Sequence, residues 1–229
     1  MAAHDPSSAA DWLARRRRLD SLLRLHAAVI GGDAEHAEAI RTLAEALADP
    51  EAEVRELASA ALSDFGPDAK LALPELIQAV QDENAVVRRR ALRAIAFIGP
   101  AAADDALACL IAATEDVDDS VGLQAVATIG ELGPGAAPAV PALMSAVWTG
   151  DVRRRAVAGV ALTHVGAAAV PSLMQSLSHP AAEVRVKVIH LLGQIGPNAA
   201  EARGALRSLL DDADPAVRVE AASALSAIG

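Results

Sequence analysis

The sequence predicts an all-α protein, a right-handed α-solenoid of about six helix pairs behind an N-terminal capping helix. Three observations carry that prediction. Of the 229 residues 56 are alanine, the best helix former and a poor strand former. Glycines recur at Gly66, Gly99, Gly133, Gly166, Gly196 and Gly229, spaced by 33, 34, 33, 30 and 33 residues. The same residue types stand at fixed offsets before each glycine, the mark of a repeat array whose neighbours bury a continuous core.

Taken in order, residues 1–10 are expected to be disordered and residues 11–32 to form the capping helix, closed by Gly31 and Gly32. Its run Arg15 to Arg18 reads as the solvated face of a cap over the first repeat, because four adjacent charges point around a helix instead of along it. Residues 33–229 form the repeat domain. Each repeat reads as two antiparallel helices, A and B. Helix A is short, with Pro74, Pro141 and Pro171 suited to a first helical turn. Helix B opens after an Asp- and Pro-containing turn and closes at the glycine, often with proline next, as at Pro67, Pro100, Pro134 and Pro197. Within helix B, apolar residues recur twelve, eight, five, four and one positions before the glycine, which is one buried helical face. The small residues are expected where helices A and B cross.

Eleven residues before the glycines stand Arg55, Arg88, Gly122, Arg155, Arg185 and Arg218; seventeen before stand Asp49, Asp82, Asp116, Thr149, His179 and Asp212. With the Val-Arg-x-x-Ala-x-x-Ala-Leu frame, this resembles the HEAT-repeat family, in particular the short repeats of the phycobilin-lyase type. The resemblance covers roughly Ala34 to Gly229 and implies a ladder of side chains bridging neighbouring repeats, built from Asp49, Arg55, Asp82, Arg88, Arg155, Arg185, Asp212 and Arg218. Gly122, Thr149 and His179 break its pattern, so pairing should be weakest in repeats three to five.

The formal charge of -10 argues against a protein whose main task is holding nucleic acid, since phosphate neutralisation needs a basic footprint. Cys109, the one cysteine, sits in an apolar helix A and reads as a buried hydrophobe; no disulfide pair or multi-cysteine metal set is present. The start of the chain has no signal-peptide pattern, and no apolar run is read as long enough to span a bilayer. Only two lysines accompany eighteen arginines, which suggests a GC-rich coding sequence; a bacterial, cytoplasmic protein is the expectation. No phosphate loop, nucleophile elbow or zinc spacing occurs, and no cofactor or metal is expected. The acidic residues Asp104, Asp105, Glu115, Asp116, Asp118 and Asp119 read as helix-capping and turn residues.

Solenoids of this kind bind through the surface lined by their B helices, concave in this family by resemblance. The stripe thirteen, nine, six and two positions before each glycine should face solvent. Its candidates for a partner-binding groove are Arg90, Arg93, Phe97, Gln124, Glu131, Val157, Val160, His164, Lys187, His190 and Gln194. Arginine and an aromatic beside apolar residues on a wet face have the composition of protein-binding hot spots. His164 and His190 lack a third ligand better than Glu131 or Gln194, so a metal site is not favoured. The leading expectation is a non-enzymatic scaffold for a protein or peptide, with possible self-association through the last repeat. The resemblance implies, as alternative, a lyase-like or chaperone subunit for a tetrapyrrole (bilin) group; the arginine clusters leave nucleic-acid binding third.

Overall fold

The computed structural model describes residues 6–27 and 33–229, and among these every regular element is helical. Helix α1 (Pro6–Ala27) precedes six pairs. These are α2 (Asp33–Ala46) with α3 (Ala52–Asp64), α4 (Leu73–Ala79) with α5 (Ala85–Ile98), and α6 (Ala103–Ala113) with α7 (Asp119–Glu131). Then follow α8 (Val140–Thr149) with α9 (Val152–Val165), α10 (Val170–Gln175) with α11 (Ala182–Ile195), and α12 (Arg203–Ser208) with α13 (Pro215–Ile228). The fold is an all-α solenoid of helix pairs. Residues 6–10, expected to be disordered, are the first turns of α1. The remainder of that expectation, residues 1–5, and the proposed stop at Gly31 and Gly32 lie outside the described residues.

Every repeat-ending glycine has positive φ, from 53° to 92°. At Gly99, Gly166 and Gly196 ψ is -148°, -132° and -139°, so the backbone is not in the left-handed helical well but in a region that sterics leave essentially to glycine alone. That break ends helix B and, in the first five repeats, starts a short 3-10 turn, whose second position Pro67, Pro100, Pro134 or Pro197 fills without losing a needed N–H.

The predicted core offsets are buried in nearly every repeat: Val87, Ala91, Ala94, Ile95 and Ile98 in α5, for instance, all at or near zero exposure. Repeat four departs from the pattern, because Arg154 stands where Val54, Val87, Val121 and Val217 stand elsewhere. Small residues are expected where helices A and B cross; close approaches also occur between B helices of successive repeats. A Cβ on Gly130 would come within 2.9 Å of Ala161 Cα, and one on Gly193 within 3.2 Å of Ala224 Cα. Alanine and glycine at these crossings let α11 and α13 lie against each other along their length, as α3 and α5 do.

Two stretches, Ala85–Ala113 and Val152–Ser178, are apolar and long enough to cross a membrane on length and composition, which corrects the expectation that no run reached that length. Each is broken by a positive-φ glycine into helices of at most 14 residues, about 21 Å, short of a hydrocarbon core of about 30 Å. They are helices of the repeat stack.

The ladder exists. Arg55 donates from Nε and Nη2 to the two carboxylate oxygens of Asp82 at 2.7 and 3.0 Å, and from Nη1 to the Asp49 and Pro50 carbonyls. Arg88 holds Asp116 in the same way at 2.8 and 2.7 Å, and Arg185 holds Asp212 at 3.0 and 2.7 Å. Each rung runs from the arginine of one repeat to the aspartate of the next, and Asp116 joins the expected set. Each aspartate also accepts the N–H two residues on, from Glu51, Asn84, Asp118 or Asp214, which shapes the turn before helix B. Asp49 pairs with Arg18 of α1 at 3.0 Å, and Arg15 with Glu53 at 2.6 Å. Two of the four adjacent arginines thus pair the cap with acids of the first repeat while staying partly exposed.

Arg155 does not join the ladder. The position that should supply its aspartate is His179, whose Nδ1 accepts the Ala181 N–H at 3.1 Å and so preserves the turn, but which offers a guanidinium no carboxylate. Arg218 bonds only to carbonyls of its own turn, Asp212 and Ala213.

The chain divides into two compact units at Thr128 and Ile129, within α7. The first holds α1 to α6 and most of α7; the second holds the end of α7 and α8 to α13.

Candidate functional site

The candidate stripe is partly or fully exposed in both units. In the first unit its cations are engaged. Arg90 turns back on the preceding B helix, donating from Nη1 to the Glu56 carbonyl at 2.8 Å and lying 3.4 Å from the Glu56 carboxylate. Its main partner is structural, contrary to the expectation of a free groove cation. Arg93 lies over the Phe97 ring, 5.4 Å from its centroid, and Phe97 is 48% exposed. Gln124 donates to Thr128 Oγ1, which in turn donates to the Leu92 carbonyl of α5. Arg93 with Phe97 is therefore the feature of this unit that faces outward, an aromatic surface with a cation already upon it.

The second unit contains a cavity of about 510 Å³ between α9 and α11. Its floor is Val147, Ala156, Gly159, Val160, Val186 and Leu191; its rim is Arg155, Lys187, His190, Gln194 and Glu220. Four of the candidates, Val160, Lys187, His190 and Gln194, meet here. Val160 is 55% exposed, an aliphatic side chain on an open face. Lys187 Nζ lies 5.8 Å from the Trp148 ring centroid, and His190 Nδ1 lies 2.9 Å from Glu220 Oε1 of α13. The group beside His190 is thus the Glu220 carboxylate, not the Glu131 carboxylate or the Gln194 amide. Glu131 and His164 are exposed at the ends of α7 and α9, and Val157 is half-buried. His164, in the last turn of α9, suits the negative end of the helix dipole. Among the described residues no three His, Cys, Asp or Glu side chains gather as a metal-binding set.

The opening has a local cause. At the crossing where Gly130 meets Ala161 and Gly193 meets Ala224, α9 and α11 carry Thr163 and Leu191. Leu191 packs over the bare Cα of Gly159, where a Cβ would lie 3.4 Å from Leu191 Cδ2. With larger side chains at the crossing and no arginine–aspartate rung, α9 and α11 meet much less extensively than α11 and α13. Comparison of these two offsets between repeats would have located the opening from sequence; the expected stripe alone did not, since Arg155 was assigned to the ladder and Gly159 and Glu220 were not among the groove candidates.

Electrostatics separates the ladder from the cavity. The Arg88 hydrogen bond holds the Asp116 carboxyl below the usual range despite burial, and Arg185 does the same for Asp212. Burial pushes Asp82 upward, but the Arg55 hydrogen bond, the Asn84 N–H and the neighbouring positive charges together leave it lowered. Burial raises the thiol of half-buried Cys109, whose Sγ–H points at the Ala106 carbonyl 3.0 Å away, consistent with a packing role. No such bond fixes the cations at the cavity rim to a carboxylate.

Solved structures with the same fold include an engineered protein from the Northeast Structural Genomics Consortium, 21% identical over 82% of this chain and 96% of that one, with a TM-score of 0.55. An archaeal HEAT-like repeat protein from Thermococcus onnurineus is 15% identical over 90% and 96%, with a TM-score of 0.50. The CpcE–CpcF complex of phycocyanin lyase from Nostoc sp. is 25% identical over 82% and 76%, with a TM-score of 0.51. No curated protein matches the chain. The model of HEAT repeats matches residues 73–163 and 170–229, more than half of the sequence, and together with the helix pairs and their arginine–aspartate rungs this means that the chain belongs to the HEAT-repeat family.

Proposed function

We propose that this chain is a non-enzymatic scaffold that binds a protein or peptide through the exposed face of its B helices, with the cavity between α9 and α11 as its principal contact. The observation that carries this reading is Val160, half-exposed on the floor of a 510 Å³ opening ringed by Arg155, Lys187, His190 and Gln194. An apolar floor inside a polar rim is the anatomy of a protein-binding patch. The nucleic-acid reading loses support because Arg15, Arg18, Arg88 and Arg90 are committed to acidic side chains of the same chain. Val160→Asp tests the proposal, since it places a charge on the floor at a position where no core contact depends on it. Enrichment of partners on the immobilised protein, quantified against wild type with helicity unchanged by circular dichroism, should fall for the variant; equal enrichment overturns the reading.

The likeness to the CpcE–CpcF complex favours a second reading, a lyase-like or chaperone subunit for a tetrapyrrole. A bilin titrated into the protein should then shift its visible absorbance at stoichiometric concentration, and an unchanged spectrum removes this alternative.

A further inference from the structure

We infer that the cavity between α9 and α11 takes an acidic peptide segment with an aliphatic anchor, its carboxylate on Arg155 and Lys187 and its apolar side chain on Gly159, Val160 and Leu191. The inference rests on the scaffold reading and adds the chemistry of the occupant. Its first support is how this fold uses arginine. At the offset of Arg155, the guanidiniums of Arg55, Arg88 and Arg185 each grip a carboxylate of the following repeat with two parallel bonds of 2.7 to 3.0 Å. Arg155 occupies the same place in its helix, but His179 has replaced its carboxylate, and the side chain lines the cavity instead. The planar fork is matched to a carboxylate that this chain no longer supplies.

Charge balance points the same way. The rim carries Arg155 and Lys187, while its acid, Glu220, is engaged by His190 at 2.9 Å. Lys187 sits above Trp148, an arrangement that leaves its charge in place and its ammonium at the mouth of the cavity. A net positive mouth in a chain of formal charge -10 selects for an anionic occupant over a cationic one. The floor adds that the anion must be attached to something aliphatic, and a volume of about 510 Å³ admits a few side chains and not a folded domain.

The test uses fluorescence anisotropy with a fluorescein-labelled peptide of sequence Gly-Ser-Glu-Leu-Glu-Leu-Glu-Ser-Gly, and three relatives in which every Glu is Gln, every Glu is Lys, or every Leu is Ser. Wild type should bind the first saturably and the other three at least about tenfold more weakly, the range expected when a charge-assisted bond or a buried aliphatic group is lost. The double variant Arg155→Glu, Lys187→Glu should lose the acidic peptide and prefer the lysine one. Because Arg155 makes no ladder bond, this variant should keep the wild-type melting temperature within a few degrees. Equal binding of the Glu and Gln peptides, or an acidic preference surviving the double charge reversal, overturns the inference. If wild type retains members of a mixed-charge peptide pool that Val160→Asp does not, yet shows no acidic preference, the inference falls and the scaffold reading stands; retention of no peptide at all removes both.

Discussion

Two neighbouring junctions in the second unit are built from the same kind of helix and close differently. Between α11 and α13, Gly193 lies against Ala224 and Arg185 grips Asp212, so the two B helices pack along their length. Between α9 and α11, Thr163 and Leu191 occupy the crossing, His179 replaces the aspartate, and a cavity opens. The comparison separates two closing devices, small residues that allow the backbones to approach and an ion pair that fastens the turns. Where both are missing, the B-helix layer parts and its apolar side becomes accessible.

The largest expected effect comes from removing the fastened carboxylates together. Asp82, Asp116 and Asp212 have native pKa values below their unfolded value of about 3.9, so their contribution is fully present above that value and is lost as the pH falls through the depressed native values. Urea midpoints should therefore be flat from pH 7 to 5 and drop steeply below pH 4, and Asp116→Asn should show a shallower drop than wild type. An equally steep drop in that variant would mean that the acid sensitivity lies elsewhere.

Arg55→Ala should cost about 3 kcal/mol, because it leaves Asp82 partly buried without its partner and frees two turn carbonyls. Arg155→Ala, at the same offset, should stay within about 0.5 kcal/mol. Equal costs measured by denaturant unfolding would erase the distinction between the junctions. Gly130→Ala should cost about 1 to 2 kcal/mol, since the clash with Ala161 Cα exceeds the gain in helix propensity. A smaller effect is expected from His179→Asp, which offers Arg155 a carboxylate: about 1 kcal/mol of stabilisation, with weaker binding of the acidic peptide. Smallest of all, Val219→Lys on the last repeat should leave stability unchanged. Val219 is 70% exposed, so a fall in apparent mass by light scattering would assign self-association to that face, and a wild-type monomer at all concentrations would dismiss it.

The repeat was legible because its signals are enforced locally. A backbone region open only to glycine, an aspartate that shapes a turn, and a buried face at fixed offsets each leave a residue in the sequence. The ladder followed from the same offsets, and so did its gap at His179. Arg90 was misread because a long side chain takes the nearest acceptor, here on the preceding helix, and the stripe pattern records only the direction of the Cα–Cβ bond. Arg18 was hidden among four equivalent arginines; its pairing with Asp49 depends on how α1 docks, which no periodicity reports. The cavity required a difference between repeats, Leu191 with Thr163 where the junctions on either side pair glycine with alanine, and the search for what repeats passes over what does not.

Each ladder arginine has one hand on its own turn and the other on the next repeat, so the array behaves as a one-dimensional chain of nearest-neighbour couplings. At Arg155 that relay is interrupted. Fraying that starts at α13 is transmitted to α11 through Asp212 and goes no further by this route, which makes the α9–α11 junction a firebreak in the unfolding of the second unit. Hydrogen exchange should register it as a step in protection between α9 and α11, at the same place where the protein has room for a guest.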